Sequence, residues 1–310
     1  MTRSGTQFDL SYGDYSATVT DVGATLRQLQ HGERPLVVGF DADEIRPAYR
    51  GAVLAPWPNR IADGRYTFDG ATHQLAITEP DRGNALHGLV AWVRWDVIDH
   101  RSDQVVLRHR LVEQPGYPCP LDLTVRYLLD ADGLHWSVGA TNAGETVAPY
   151  GCAPHPYLVA GGGRVDAWSL QLPATRYLAV TPDRLLPVSV EPVAGTGFDF
   201  ATARTIGDTF IDHAFTGLDA DADGRSRVHV RSASGQGVAM TWDPIQCPWV
   251  QIHTADRPGE PGHRGGLAVE PMTCPPDAFN SGTDVIRLAP GASHEVTWTI
   301  SAVAGQAETA

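Results

Sequence analysis

The feature that most constrains this chain is side-chain alternation at period two. In LDLTVRYLLDADGLHWSVGATN, residues 121–142, apolar or β-branched residues recur at alternate positions, stop at Asp-Ala-Asp-Gly and then resume. Successive side chains of a β-strand point to opposite faces, so each run offers one face to a core, and a Gly-containing turn between two runs makes a hairpin. The same signature recurs in SATVTDV, RYTFDGATHQLAI, QVVLRHRLV and RVHVRSASGQGVAMTWD, and SHEVTWTISAV reads as a final strand. No long segment carries the 3.6-residue periodicity of an amphipathic helix; short helical turns are expected only near DADEIRPAYR and DAFNSG. The 32 glycines and 23 prolines punctuate the chain at roughly the spacing of sandwich strands. The expected fold is all-β, a large antiparallel β-sandwich of two packed sheets. It is expected to span residues 1–310 as one domain, since no linker, repeat or shift of composition divides the chain.

Charge narrows the partners. The net charge is -13 and there is no basic run, so neither a nucleic acid nor a membrane surface is an expected partner. All 23 basic residues are arginine. Without lysine there is no Schiff-base chemistry and no Walker-type phosphate loop. The N-terminal MTRSGTQFDLSYGDYSATV lacks the apolar centre of a secretory signal, and no apolar run approaches membrane-spanning length, so the expected location is the cytoplasm. Cys119, Cys152, Cys247 and Cys274 have no C-x-x-C spacing and read as reduced, buried side chains; no metal and no cofactor is expected. The acidic stretch 217–227 lacks the spacing and the terminal glutamate of a calcium loop and reads as a solvated turn.

Four segments do not read as ordinary strand or turn. In GAVLAPWPNRIADGRYTFDG, Asn59 and Arg60 follow a rigid Pro-Trp-Pro; arginine presents a planar fork of donors, and Trp57 is an aromatic plate on which a sugar ring can stack. A turn with a surface arginine is the plainer alternative. In GNALHGLVAWVRW, His87 precedes a glycine and an apolar run; a satisfied structural histidine would look the same. In APYGCAPHPYLVAGGG, His155 stands between Pro154 and Pro156, with Tyr157 beside it. Proline fixes its own φ and restricts the residue before it, which suits a positioned proton donor and also a rigid loop edge. In GLAVEPMTCPPDAFNSG, Glu270 ends an apolar run beside Pro271, where desolvation would raise its pKa toward that of a general base; a capping role is the alternative. No nucleophile elbow, zinc-protease motif, dinucleotide fingerprint or thiol-protease signature is present. Two histidines, a glutamate, an arginine and aromatic rings remain, a set suited to proton transfer on a polar, uncharged substrate.

Taken in order, NRIADGRYTFDG, NALHG, PHPY, IDHAF and VEPMTCPPDAFN resemble the aldose 1-epimerase (galactose mutarotase) family, over about Ser11 to Val303. The resemblance implies a large antiparallel β-sandwich and interconversion of the α and β anomers of a free aldose, glucose or galactose for example. It implies that Glu270 takes the proton of the C1 hydroxyl, that His155 protonates the ring oxygen and that His87 supports the charge developing there. Arg60 and Asp212 would hold sugar hydroxyls, with Asn59, Trp57 and Tyr157 in the same substrate-binding set. The implied partner is a small sugar, the implied assembly a monomer or homodimer, and no metal or cofactor is implied. The chain departs from the commoner family pattern in the APWP before Asn59 and the LVAGGG after Tyr157, which bears on sugar specificity. Two other readings stand beside this one. One is a non-catalytic sugar-binding β-sandwich, which would have no use for a matched acid and base. The other is a hexose-6-phosphate 1-epimerase, which would need a basic pocket to which Arg82, Arg94 and Arg264 could contribute.

Overall fold

The computed structural model of the protein describes residues 2–305, and strand dominates them. The 121–142 stretch is a hairpin of strands Leu121–Asp130 and Gly133–Asn142, paired from Leu121 opposite Asn142 to Asp130 opposite Gly133. Leu121, Leu123, Val125, Tyr127 and Leu129 are buried, and the side chains between them are not. Each such apolar side chain taken from water contributes about 1.5–3 kcal/mol.

This hairpin supplies two of nine antiparallel strands in the larger sheet. Next to it lie Ser293–Val303, Gly237–Trp242 and Ser226–Arg231, with Asp96–His100 at one edge and Arg204–Thr205 at the other. A six-stranded antiparallel sheet follows the order Tyr157–Leu158, Leu267–Met272, Trp249–His253, Asp212–Leu218, Ala174–Val180 and Pro187–Pro192. One apolar cluster includes Val125, Trp136, Met240 and Trp298 from the larger sheet and Phe215, Val250, Ile252 and Val269 from the smaller. The two sheets therefore bury their apolar faces in a common core, as the layers of a sandwich do. A further four-stranded sheet, Gln7–Tyr12 to Arg34–Pro35, precedes them in the chain.

The two stretches expected to turn helical do so briefly, as a 3-10 turn at Pro47–Tyr49 and a helix at Ala278–Ser281. A second 3-10 turn, Val165–Ala167, carried no signal in the sequence. The four cysteines are free and buried. Among the described residues no helix is long and apolar enough to cross a membrane.

Candidate active site

The period-two rule that builds the core also builds the site. In strand Leu267–Met272 every residue is buried, but on two different faces. Leu267 and Val269 join the common core, while Ala268 and Met272 join separate small clusters. Glu270 shares the parity of the second set and so leaves the core face. The strand continues through Pro271 to Met272 rather than ending at Glu270 as expected. In Trp249–His253, Val250 and Ile252 point to the core, leaving Gln251 and His253 on the face of Glu270. Register then assembles the set: Gln251 lies opposite Glu270, and Asp212 opposite His253.

His155 reaches the same face from strand Ala153–His155, which pairs with Ala52–Leu54. Its carbonyl accepts from the N–H of Gly51 at 2.8 Å, and the carbonyl of Pro156 accepts from Val269 N–H at 3.3 Å. The two flanking prolines thus sit in a segment tied on one side to the Gly51 loop and on the other to the Glu270 strand. Gly51 has φ +65°, and a Cβ there would lie 1.9 Å from the carbonyl oxygen of Leu26, so only glycine fits.

His155 Nε2 lies 3.3 Å from Glu270 Oε1, and both side chains are almost wholly buried. Glu270 Oε2 and His155 Nδ1 have no hydrogen-bond partner among the described residues. Burial drives Glu270 well above the usual carboxylate range, aided by the negative charge of Asp212 and opposed by Arg60. Burial also drives His155 down to about 3, with His253 adding to the effect. Both directions favour the same state, a carboxylic acid beside a neutral imidazole.

His87 lies 5.2 Å from His155, ring centre to ring centre. It is buried, and its pKa is held far below the ordinary value by desolvation first and by His155 and Arg60 next. His87 and Asn59 lock each other. Both adopt positive φ, +63° and +55°. The Asn59 backbone N–H donates to His87 Nδ1 at 3.2 Å, and the His87 N–H donates to the Asn59 carbonyl at 2.9 Å. An Nδ1 that accepts must carry its proton on Nε2, so the neutral ring is a fixed Nε2–H donor. Gly88 is required next: a Cβ there would lie 2.0 Å from the carbonyl oxygen of Ala55.

Arg60 is buried and grips Glu79 through Nε at 2.9 Å and Nη2 at 3.0 Å. Asn59 Oδ1 accepts from the Arg60 N–H and from its Nη1. Glu79 also accepts from Arg82 and Asn84. Burial opposes ionisation of Glu79, but the Arg60 hydrogen bond prevails and its pKa is lowered. Asp212 accepts from Gln251 Nε2 at 2.7 Å; burial again opposes its charge, and His253 and Arg60 outweigh it, so its pKa is lowered too. The short helix after Asp277 is joined to this corner, because Ala62 N–H donates to Asp277 Oδ1 at 2.9 Å.

These groups line one cavity of about 310 Å³, together with Tyr49, Tyr157, Asp256 and Arg257. That is near the lower end of the roughly 300–1,000 Å³ of small-molecule sites, a size for one sugar rather than a chain of them. Seven of the eight expected residues, Glu270, His155, His87, Arg60, Asp212, Asn59 and Tyr157, meet there. Trp57 does not. It is 2% exposed and belongs to the apolar core, with its ring 5.9 Å from Phe279. Its indole packs inward, and the tyrosines on the cavity are Tyr157 and Tyr49, the latter 4.7 Å from His87. Of the arginines suited to a phosphate, only Arg82 lines the cavity. Arg264 is consumed by Asp166 and Asp256, and Arg94 pairs with Asp21 elsewhere. Gln251, His253, Glu79 and Arg257 were missed. Gln251 and His253 had a legible signal, two polar residues at alternate positions of the apolar WVQIH run.

Comparison with known proteins places the chain in a family. The sequence pattern of the family described as aldose 1-epimerase matches residues 7–301. The chain is 38% identical over 301 residues to the uncharacterized protein YihR of Escherichia coli K12, covering 97% of this chain and 94% of that one. It is 32% identical over 243 residues to the aldose 1-epimerase of the same organism, covering 70% and 69%. Among solved structures, a GalM/aldose epimerase homologue from C. elegans superposes with a TM-score of 0.83 at 23% identity, covering 96% of this chain and 99% of that one. A galactose 1-epimerase from Lactobacillus acidophilus gives 0.79 at 21% identity, covering 96% and 93%.

Proposed function

The chain belongs to the aldose 1-epimerase family and is an enzyme acting on carbohydrates, and from that premise we propose that it interconverts the α and β anomers of free aldohexoses such as glucose and galactose. The observation that carries this reading is the buried contact of 3.3 Å between His155 Nε2 and Glu270 Oε1 on the wall of a sugar-sized cavity. A sugar seated with its anomeric centre against this pair meets a base and an acid at once. Glu270, as carboxylate, takes the C1 hydroxyl proton; the C1–O5 bond breaks as C1=O forms; His155, as imidazolium, gives its proton to O5. Rotation about C1–C2 presents the other aldehyde face, and the same transfers in reverse close the ring.

The proton count closes. Before ring opening the pair holds one proton, on His155; afterwards it holds one, on Glu270. The buried site favours the second form, so ring opening relieves a charge separation that the bound sugar must first support. His87, fixed as an Nε2–H donor, stabilises charge on the ring oxygen. Arg60, held by Glu79, donates to sugar hydroxyls, and Asp212, held by Gln251, accepts from them. Each positioned acid or base is worth roughly 10²–10⁴ in rate, ample for a reaction that already proceeds in water.

One observation favours a second reading, a sugar carrying phosphate. Arg257 lines the cavity beside Arg82 and has no ion-pair partner among the described residues. Polarimetry of freshly dissolved α-D-glucose and α-D-galactose, with glucose 6-phosphate followed in parallel, separates the possibilities. Faster decay of rotation for the neutral sugars supports the proposal. Acceleration of the phosphate ester alone supports the second reading, and sugar binding without acceleration makes the protein a binding module.

A further inference from the structure

Three arginines of the described residues are buried: Arg46, Arg60 and Arg264. Arg60 holds Glu79, and Arg264 lies 2.7 Å from both Asp166 and Asp256. Arg46, only 6% exposed, has no carboxylate partner among the described residues. Of its five N–H donors, one goes to the Thr25 hydroxyl and one to the Ala91 carbonyl, while its Nε is buried with no acceptor. A desolvated guanidinium without a counter-ion is costly, and buried charges are ordinarily paired.

Arg46 lines a cavity of about 190 Å³, separate from the active-site cavity and shared with Arg3, Val22, Phe40, Ile45 and Trp92. The guanidinium lies 4.4 Å from the Trp92 ring centre, and that indole is half exposed, as Ile45 is on the same rim. The cavity therefore combines a dry, uncompensated positive charge with an apolar and aromatic wall open to solvent, and Arg3 adds a second cation at its edge. In a chain of net charge -13, carboxylates able to neutralise Arg46 are abundant, and none of the described ones lines this cavity. The aromatic pair Trp92 and Tyr49, with centroids 5.8 Å apart, is the partition between this cavity and the catalytic one.

We propose that this cavity is a second binding site, for a small organic anion whose carboxylate pairs with Arg46 and whose apolar body lies against Trp92, Phe40 and Ile45. A flat or branched body suits the indole face, and a bare inorganic ion would leave the apolar wall uncovered. The site is a cavity separate from that of the sugar and holds whether or not the assignment of the reaction does.

The test is calorimetric titration of the full chain with benzoate, with benzamide as the neutral isostere. Saturable benzoate binding at one site, at least about tenfold tighter than benzamide, is expected, since only the anion makes a charge-assisted pair. Arg46→Met and Trp92→Ala should each weaken benzoate about tenfold or more, and saturating glucose should leave it in place. Circular dichroism checks that Arg46→Met folds; should it not, the half-exposed Trp92→Ala and the benzamide comparison decide alone. Absence of benzoate binding, equal binding of benzamide, undiminished affinity in Arg46→Met or displacement by glucose would each overturn the proposal.

Discussion

Replacing Glu270 with glutamine separates the two properties that the site ascribes to it. Glutamine keeps the shape and a hydrogen bond to His155 but accepts no proton. Loss of a positioned base should lower the polarimetric rate on fresh α-D-glucose by roughly 10²–10⁴, equivalent to about 3–5 kcal/mol of barrier at 1.36 kcal/mol per decade. Stability should move the other way. Glu270 is 2% exposed, Oε2 has no partner among the described residues, and burial raises its pKa well above the usual carboxylate range. A carboxyl with a raised folded-state pKa binds its proton more tightly in the folded chain. It therefore costs the fold stability as pH rises from the unfolded value through the folded one, at up to about 1.4 kcal/mol per pH unit. Glutamine does not ionise, so Glu270→Gln should melt at or above the wild-type temperature at about pH 8, with a smaller difference at about pH 5. Polarimetry and thermal melts at the two pH values read both effects. A variant with wild-type turnover would refute the base assignment. One that is slow but markedly less stable at high pH would show that the carboxylate holds the fold, and the desolvation argument would fail.

The histidine partner gives the opposite slope. His155 is held down to about 3 by burial, so the unfolded chain takes a proton that the folded chain refuses, and stability should fall as pH drops from 6.5 toward that value. His155→Asn should flatten this acid limb in melts across that range while lowering turnover by roughly 10²-fold or more. Glu79→Gln loosens Arg60 without touching the acid–base pair. It should raise the sugar KM by about tenfold and leave kcat within about twofold, whereas a fall in kcat with KM unchanged would place Arg60 among groups acting only in the transition state. Trp57→Phe should reduce Tm with an unchanged KM, because the indole packs in the core; a raised KM would restore it to the sugar site.

Much of this was legible because β-structure writes itself into a sequence. Period-two alternation in 121–142 names both strands and the turn between them, and the Ser293–Val303 strand was readable to its ends. Glu270 was legible as a carboxylate following an apolar run, where desolvation is expected, although the strand runs on to Met272 instead of ending there. Trp57 shows where this stops. Its neighbouring prolines announce a rigid segment but carry no information about which way the ring is turned. Arg264 shows it again. As sequence it is one arginine among many, and only folding brings Asp166 and Asp256 to it and removes it from any substrate. Arg257 and Glu79 lie in loops without periodicity, so nothing local marked them as cavity residues.

The sequence by itself determined the strand identities, the absence of lysine chemistry and the inventory of acid, base and donor groups, because these depend on residue type and near-neighbour spacing. The tertiary structure decided which of those groups meet. Register set Gln251 opposite Glu270 and Asp212 opposite His253, pairings fixed by contacts between residues far apart in the chain. It also decided the electrostatics: the unusual protonation of Glu270 and His155 comes from burial, and burial is a property of the packed molecule, not of any segment within it.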